Sequence, residues 1–226
     1  MPNWSFTHLD EVDTLETYCS ISDSERPVRS HTAIVFAASA VLLTACSGGG
    51  SSGNGGPGGG GGPVPDSLAG MVSHGERIED RIAALQSHTT TMPTSGTGTY
   101  RGVAGFVAGD GFARPAMSEA TLVAQAELTA DFGARNISGE LTNFRDDQNQ
   151  RIEGSMQIRN GTGLPGANTY HNADVMGSLN LDGTPSQVNG RMDTQFIGSD
   201  AELLRGNFRN LTIGGENYRG GLVAER

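Results

Sequence analysis

The sequence contains no lysine: all 15 basic residues are arginines, set against 25 acidic residues, which gives a formal net charge of −10. A chain with this balance does not attract nucleic acid or an anionic membrane surface, because both bind basic proteins. Cysteine is almost absent too, since only Cys19 and Cys46 occur. Aromatic residues make up 6% of the chain. This low content predicts a core built largely from small apolar side chains.

The longest apolar run, residues 33–45, ends at Leu43-Thr44-Ala45-Cys46. As a helix it would span roughly 20 Å, less than the hydrocarbon core of about 30 Å, so a membrane-spanning helix is not favoured. A buried core cysteine is not favoured either, because serine and glycines that cannot pack around it follow directly. The pattern resembles the lipobox of bacterial lipoproteins, in which cleavage precedes the cysteine. The resemblance implies that Cys46 is lipidated, with palmitate among its acyl chains, and anchors the mature chain to a membrane.

The segments on either side of the lipobox predict how the N-terminal part is divided. Residues 1–27 hold six acidic residues and one arginine, whereas a signal peptide begins with basic residues. We therefore predict that this stretch is a mis-called extension and that translation starts at Val28. Residues 28–45 are then the signal peptide, and residues 46–65 are the lipidated cysteine with a flexible linker rich in glycine and serine.

Residues 66–90 are predicted to contain one amphipathic helix. Its apolar positions recur at helical spacing, at Met71, Gly75, Ile78, Ile82 and Leu85, while charged residues take the other face. Asp66 is the expected N-cap. We expect the apolar face to pack on the chain's own domain or to close one end of it; pairing with a partner helix is the alternative.

Residues 91–226 change to a period of two, which is typical of β-strands with one dry face. Turn signals divide this region into about eight strands, near residues 97–108, 119–132, 136–144, 151–159, 173–181, 187–197, 202–210 and 216–225. Most of these segments repeat one motif, an aliphatic or aromatic residue with glycine two positions later, as in Tyr100 and Gly102. Glycine allows a strand to coil sharply, as the closure of a narrow barrel requires.

The sequence therefore predicts an all-β fold, an eight-stranded antiparallel soluble β-barrel preceded by a short helix and a flexible linker. A membrane-spanning barrel with its apolar face outward would show the same alternation. It fits less well, because the apolar positions here are rich in alanine and glycine, whereas lipid-facing bands are bulky and flanked by aromatic residues.

A stretch near the C-terminus resembles the signature of the transferrin-binding-protein-like β-barrel lipoproteins. The matching positions are Phe196, Gly198, Ala201, Glu202, Gly206 and Phe208, before a final strand that ends at Arg226. Residues 92–102 resemble the start of that family's first strand, so the resemblance covers about residues 92–226. It implies an outer-membrane lipoprotein, on the surface or on the periplasmic side, whose barrel loops meet a protein or small ligand. Receptors for transferrin, complement factor H binders and haem-binding barrels are among the relatives.

Few residues suggest site chemistry. Tyr170-His171 could bind haem iron, since both side chains occur as axial ligands, or could form a polar loop tip. Asp146-Asp147-Gln148-Asn149 offers oxygen ligands but lacks the spacing of a calcium loop, so a hairpin turn is predicted. No cluster has the spacing of a metal site, and no catalytic nucleophile or acid–base pair is found. We therefore predict no metal, no catalytic residue and no enzyme activity.

Three functions stay open at this level. The first is a monomeric lipoprotein, anchored to the outer membrane through Cys46, that binds a protein or an iron or haem carrier through its barrel loops. The second is a lipocalin-like carrier with a small molecule inside the barrel. The third is a structural envelope lipoprotein without a ligand. An interior cavity above about 300 Å³ would favour the second.

Overall fold

The computed structural model of the chain describes residues 62–85, 91–111 and 113–226. The predicted signal peptide, the lipobox and most of the linker lie outside the described residues. The elements, in chain order, are α1 (Leu68–Leu85), β1 (Thr97–Ala108), a 3₁₀ turn (Met117–Glu119), β2 (Leu122–Asp131), β3 (Asn136–Asp146), β4 (Arg151–Ile152), β5 (Gly154–Gly163), β6 (Thr169–Leu181), β7 (Thr184–Ile197), β8 (Leu203–Ile213) and β9 (Glu216–Glu225).

The strands form one closed antiparallel barrel. Around its circumference the order is β1–β2–β3–β5–β6–β7–β8–β9, and β9 pairs with β1 to complete the ring. β4 and β5 both pair with β3 and are separated only by Glu153, so together they occupy one position in the wall. The prediction of an eight-stranded antiparallel barrel behind a short helix is confirmed. The structure places β1 and β9 within the predicted bounds, whereas β6 begins four residues before its predicted start at 173.

The interior of the barrel is filled by side chains. Small residues such as Ala104 and Ala124 line part of it, but the scarce aromatic residues are concentrated there as well. Phe106 and Phe208 have ring centroids 4.9 Å apart, and Phe196 contacts three aromatic rings near one end of the barrel. The expectation of a small-residue core is therefore wrong in this respect, because the few aromatic rings are gathered inward instead of being spread through the chain.

The glycine motif allows neighbouring strands to approach closely. A Cβ atom at Gly102 in β1 would lie 1.9 Å from the carbonyl oxygen of Val223 in β9, and one at Gly177 would lie 2.1 Å from the carbonyl oxygen of Ser155. No side chain fits at either position without moving the adjacent backbone. These glycines provide the tight wall curvature that the sequence motif predicted.

Helix α1 packs on the outside of the barrel. Met71, Ile78 and Ile82 are fully buried against Val103 of β1 and Val223 of β9, among other apolar residues of the outer wall. This confirms that the apolar stripe packs on the chain's own domain. No helix within the described ranges is long and apolar enough to span a membrane.

The start of the helix differs from its prediction. Ser67, not Asp66, acts as the cap, because its Oγ accepts a hydrogen bond from the backbone N–H of Gly70 at 3.2 Å. The Asp66 carboxylate is engaged elsewhere: Gln125 and Asn143 on the barrel wall donate to its Oδ1 at 2.9 and 3.2 Å. Asp66 therefore fixes the chain to the wall just before the helix begins.

A buried carboxylate joins the helix to the last strand. Glu225, on the outer side of β9, accepts hydrogen bonds from Arg77 at 3.4 Å and from Arg81. His74 contacts both Arg77 and Glu225: its Nδ1 is 3.0 Å from Arg77 Nη2, and its Nε2 is 4.0 Å from Glu225 Oε1. Burial and the positive charge of Arg77 lower the pKa of His74, and the Glu225 carboxylate opposes this shift.

Candidate functional site

One end of the barrel, here called the C-terminal rim, contains Gly198, Ala201 and Glu202 of the C-terminal signature. It consists of residues 92–96, the 132–135 turn, the 164–168 loop, the 198–202 turn and Arg226. Backbone hydrogen bonds tie these segments together, for example from Phe132 N to Gly96 O at 3.0 Å and from Arg226 N to Glu202 O at 2.9 Å. The rim is therefore a set of short loops held to a closed sheet.

The residues of the C-terminal signature build this rim. Gly198 and Ala201 have positive φ angles of 93° and 53°, which turn the chain sharply between β7 and β8. The turn directs the carbonyl of Ala201 inward, where the fully buried Tyr100 hydroxyl donates a hydrogen bond to it. Burial raises the pKa of Tyr100, so the phenol keeps the proton that this bond requires.

The rest of the signature also has structural roles. The Glu202 side chain folds back over Gly198. A Cβ atom added at Gly198 would lie only 2.6 Å from the Glu202 Cγ. A Cβ atom at Gly206 would come within 3.1 Å of Leu222 and Met192. Phe208 lies in the aromatic core. The motif therefore specifies the closure of the barrel, and its side chains at Phe196, Ala201 and Phe208 are buried.

An apolar groove, here called the rim groove, lies on the C-terminal rim. Its volume is about 170 Å³, and its lining includes Met92, Pro93, Phe132, Leu164 and Tyr170. Leu164 is the most exposed large apolar side chain of the described residues, at 71%. Leu164 and the apolar residues that line the groove form one contiguous apolar surface, and contiguous apolar patches mark protein contacts.

Tyr170 and His171 do not form one site. They lie at the start of β6, where successive side chains point to opposite faces. The Tyr170 ring is buried, with its centroid 4.9 Å from that of Phe196, and burial raises the pKa of its phenol. His171 is on the outer wall, where its Nδ1 is 3.5 Å from Asp193 Oδ1. The two residues therefore cannot share one haem iron, and the predicted loop tip is wrong because the segment is sheet.

The acidic 146–149 segment is a hairpin turn, as predicted. The Oδ1 atom of Asp146 accepts hydrogen bonds from the backbone N–H groups of Gln148 and Gln150 at 3.0 and 2.7 Å, which closes the turn. Across the described ranges, no group of three or more histidine, cysteine or acidic side chains could hold a metal ion.

Sequence reasoning missed the exposed Leu164. Residues 161–168 fall between the predicted strands 151–159 and 173–181, and the turn signals there give Leu164 no role. The signal was the dipeptide Leu164-Pro165 between two glycines, since proline holds an exposed apolar neighbour in place at low cost in conformational entropy.

The fold defines a closed antiparallel barrel with a filled interior, an outer helix and short loops at its rim. A family model described as the C-lobe and N-lobe β-barrels of Tf-binding protein B matches residues 92–226, more than half of the chain. The chain therefore belongs to this family, and the resemblance noted in the sequence is confirmed. A comparison with the curated proteins found no match.

Solved structures similar to this chain include transferrin-binding proteins. Intact Ap-TbpB, with its N and C lobes, is 18% identical over 59% of this chain and 27% of its own, with a TM-score of 0.38. A mutant of the vaccine antigen TbpB from Haemophilus parasuis Hp5 gives 18% identity, the same coverages and a TM-score of 0.37. A surface lipoprotein gives 14% identity, coverages of 59% and 62%, and a TM-score of 0.34. The chain thus spans about a quarter of the length of the two TbpB chains.

Proposed function

We propose that this protein is a non-enzymatic lipoprotein, anchored to the outer membrane through lipid on Cys46, whose barrel binds a protein partner at the C-terminal rim. The match of residues 92–226 to the TbpB barrels carries the proposal. Relatives in this family are named for the binding of transferrin, which is a protein. A role in capturing iron held by a carrier protein follows from the same likeness.

The rim supports a protein contact better than a small-molecule site. The rim groove is small, at about 170 Å³, below the roughly 300 Å³ of ordinary ligand pockets. Its apolar lining and the exposed Leu164 suit an apolar side chain projecting from a partner. Because backbone hydrogen bonds hold the rim segments to the sheet, ordering them on binding costs little.

The filled interior gives no support to the lipocalin-like alternative. The centre of the barrel is occupied by side chains that are fully buried, including Tyr100, Phe106, Phe144 and Phe196. A small molecule would have to displace these close-packed rings. Haem binding by Tyr170 and His171 gains no support either, since the two side chains lie on opposite faces of the wall.

Site-specific photo-crosslinking tests the proposal at the rim. A photoreactive amino acid replaces Leu164 in one strain and Glu140, on the outer wall of β3, in a matched control strain. Intact cells are irradiated first with iron-loaded transferrin and then with the proteins of their growth medium. We expect a crosslinked product from position 164 that is absent from position 140.

Two results would contradict the proposal. One is the absence of any product at position 164 with both probes; the other is an identical set of products at the two positions. A further strain carries the photoreactive group at the neighbouring rim position Pro165. In that strain, Leu164→Asp should reduce the amount of crosslinked product, because the groove loses its exposed apolar contact.

A further inference from the structure

Arginines accumulate on one outer wall of the barrel although the chain as a whole is acidic. Arg191 on β7, Arg205 and Arg209 on β8, Arg219 on β9, and Arg114 from the loop after β1 share this wall, here called the basic wall. None of the five belongs to the C-terminal rim. The surface is therefore separate from the site proposed above.

The register of the strands brings these side chains together. Arg191 and Arg209 are direct cross-strand partners on β7 and β8. Arg219 on β9 lies beside Arg209 on β8, at the point where a bulge interrupts the pairing of the two strands. Arg114 lies over Gly221, where a Cβ atom would be only 2.1 Å from its Cγ, and thus next to Arg219.

The five arginines share the basic wall with the acidic residues Asp174, Asp193 and Glu79. Arg209 donates to Asp193 at 2.9 Å, and Arg114 forms an ion pair with Glu79 of α1 at 3.1 Å. Burial and the nearby Arg114 lower the pKa of the Arg205 guanidinium, and the Glu79 carboxylate opposes this shift. Like charges held this close repel one another, and an added anion would relieve the repulsion.

Several donors on the basic wall also lack acceptors. Nη1 of Arg114, Nε of Arg209 and Nε of Arg219 are buried and make no hydrogen bond among the described residues. Buried donors without acceptors carry a desolvation cost that an incoming acceptor can remove. Guanidinium groups bind carboxylates and phosphates in a bidentate manner, so an oxyanion is the acceptor that suits these arginines.

The arrangement of charges favours a protein segment over an anionic surface such as a lipid layer. Asp174 on β6 lies between Arg191 and Arg159 in the register, so the basic wall is interrupted by a carboxylate. A uniformly negative surface would be repelled at that point, whereas a peptide can place a neutral or basic side chain there. Arg205 and Arg209 are four residues apart on β8, about 13 Å, which equals the distance between residues i and i+4 of an extended segment.

We propose that the basic wall is a docking surface for an acidic, extended protein segment, with Arg191 and Arg219 as its main carboxylate contacts. This wall lies on the side of the barrel, and its binding does not depend on contacts at the rim. The chain would then present two surfaces, an apolar one at the end of the barrel and a basic one on its side.

Fluorescence anisotropy with a defined peptide tests the proposal. The probe is a labelled ten-residue peptide of alternating glutamate and serine, added to the full chain in mild detergent at about 50 mM salt, where charge screening is weak. We expect saturable binding that the double variant Arg191→Gln/Arg219→Gln weakens at least about tenfold. A peptide with glutamine in place of glutamate should not bind.

The matched control removes the same charge from another part of the barrel. Arg101→Gln/Arg151→Gln changes exposed arginines on β1 and β4 and should leave binding within about twofold, because those residues lie outside the basic wall. Melting temperatures of the two variants identify any loss of fold. The Leu164→Asp variant should bind the acidic peptide normally, which separates this proposal from the rim proposal.

Three outcomes would overturn the docking surface. The first is no binding of the acidic peptide at low salt, and the second is equal weakening by both double variants. The third is tighter binding to vesicles of anionic lipid, or to inorganic polyphosphate, than to the peptide, since the arginines would then serve a phosphate-rich partner.

Discussion

At the scale of single residues, a few glycines determine whether the barrel can close. Gly102 lies in the wall where β1 meets β9, and the Val223 carbonyl oxygen occupies the place of a Cβ atom. We expect Gly102→Ala to lower the free energy of unfolding by about 1–3 kcal/mol, because the two strands must move apart. Gly133→Ala is the control, since a Cβ atom there meets nothing closer than 3.4 Å. Urea unfolding measures both, and an equal effect of the two substitutions would contradict the explanation.

A second residue, His74, makes the domain sensitive to acid. Burial beside Arg77 lowers the pKa of His74, so the folded protein binds this proton less readily than the unfolded chain, whose histidine titrates near 6.5. The free energy of unfolding should therefore fall as the pH drops through 6.5 towards the lowered value in the folded state. Urea unfolding at pH 7.5 and pH 5.5 measures the loss.

Substitution separates His74 from other titrating groups. His74→Gln should reduce the loss of stability between these pH values, because the glutamine cannot take up a proton. The control variant His171→Gln, at a half-exposed position on the outer wall, should lose as much stability between these pH values as the unsubstituted protein. An unchanged pH dependence in His74→Gln would show that other groups cause the loss.

At the scale of elements, α1 is part of the folded domain and covers apolar residues of the barrel wall. Ile78 is fully buried between the helix and the wall. We expect Ile78→Ala to cost about 2–5 kcal/mol of unfolding free energy, the range for a large buried side chain that is cut back to alanine. Asp80→Ala, on the exposed face, should change it by less than about 0.5 kcal/mol. A thermal melt in which the two variants behave alike would mean that the helix does not dock as described.

The elements also show what sequence patterns can and cannot predict. Strand positions were predictable because alternation and turn residues are local signals, so β1 and β9 match their predicted bounds. The roles of Asp66 and Tyr170 could not be predicted in this way, because each residue makes contacts with segments that are far away in the sequence. Gln125 and Asn143 donate hydrogen bonds to the Asp66 carboxylate. Strand β7 pairs with the segment around Tyr170 and makes it part of the sheet.

At the scale of the whole molecule, the sequence predicted the barrel and its family but not its two candidate surfaces. The rim groove forms from three separate loops and the start of β6, and the basic wall forms from three strands and a loop. Neither set of residues is contiguous in the chain, so only the closed fold brings them together. The C-terminal signature is contiguous and was predictable, and its role is to close the barrel.

We propose, as the central claim, that lipid on Cys46 holds the barrel on the outer surface of the cell, because only there can its rim meet an external protein. Protease treatment of intact cells tests it most directly. Proteinase K is the suitable enzyme, because residues 47–76 contain no lysine or arginine for trypsin to cut. We predict that the barrel fragment is released while a periplasmic marker stays intact, and that Cys46→Ser is not held at the cell surface. Protection of the barrel until the outer membrane is broken would contradict the claim.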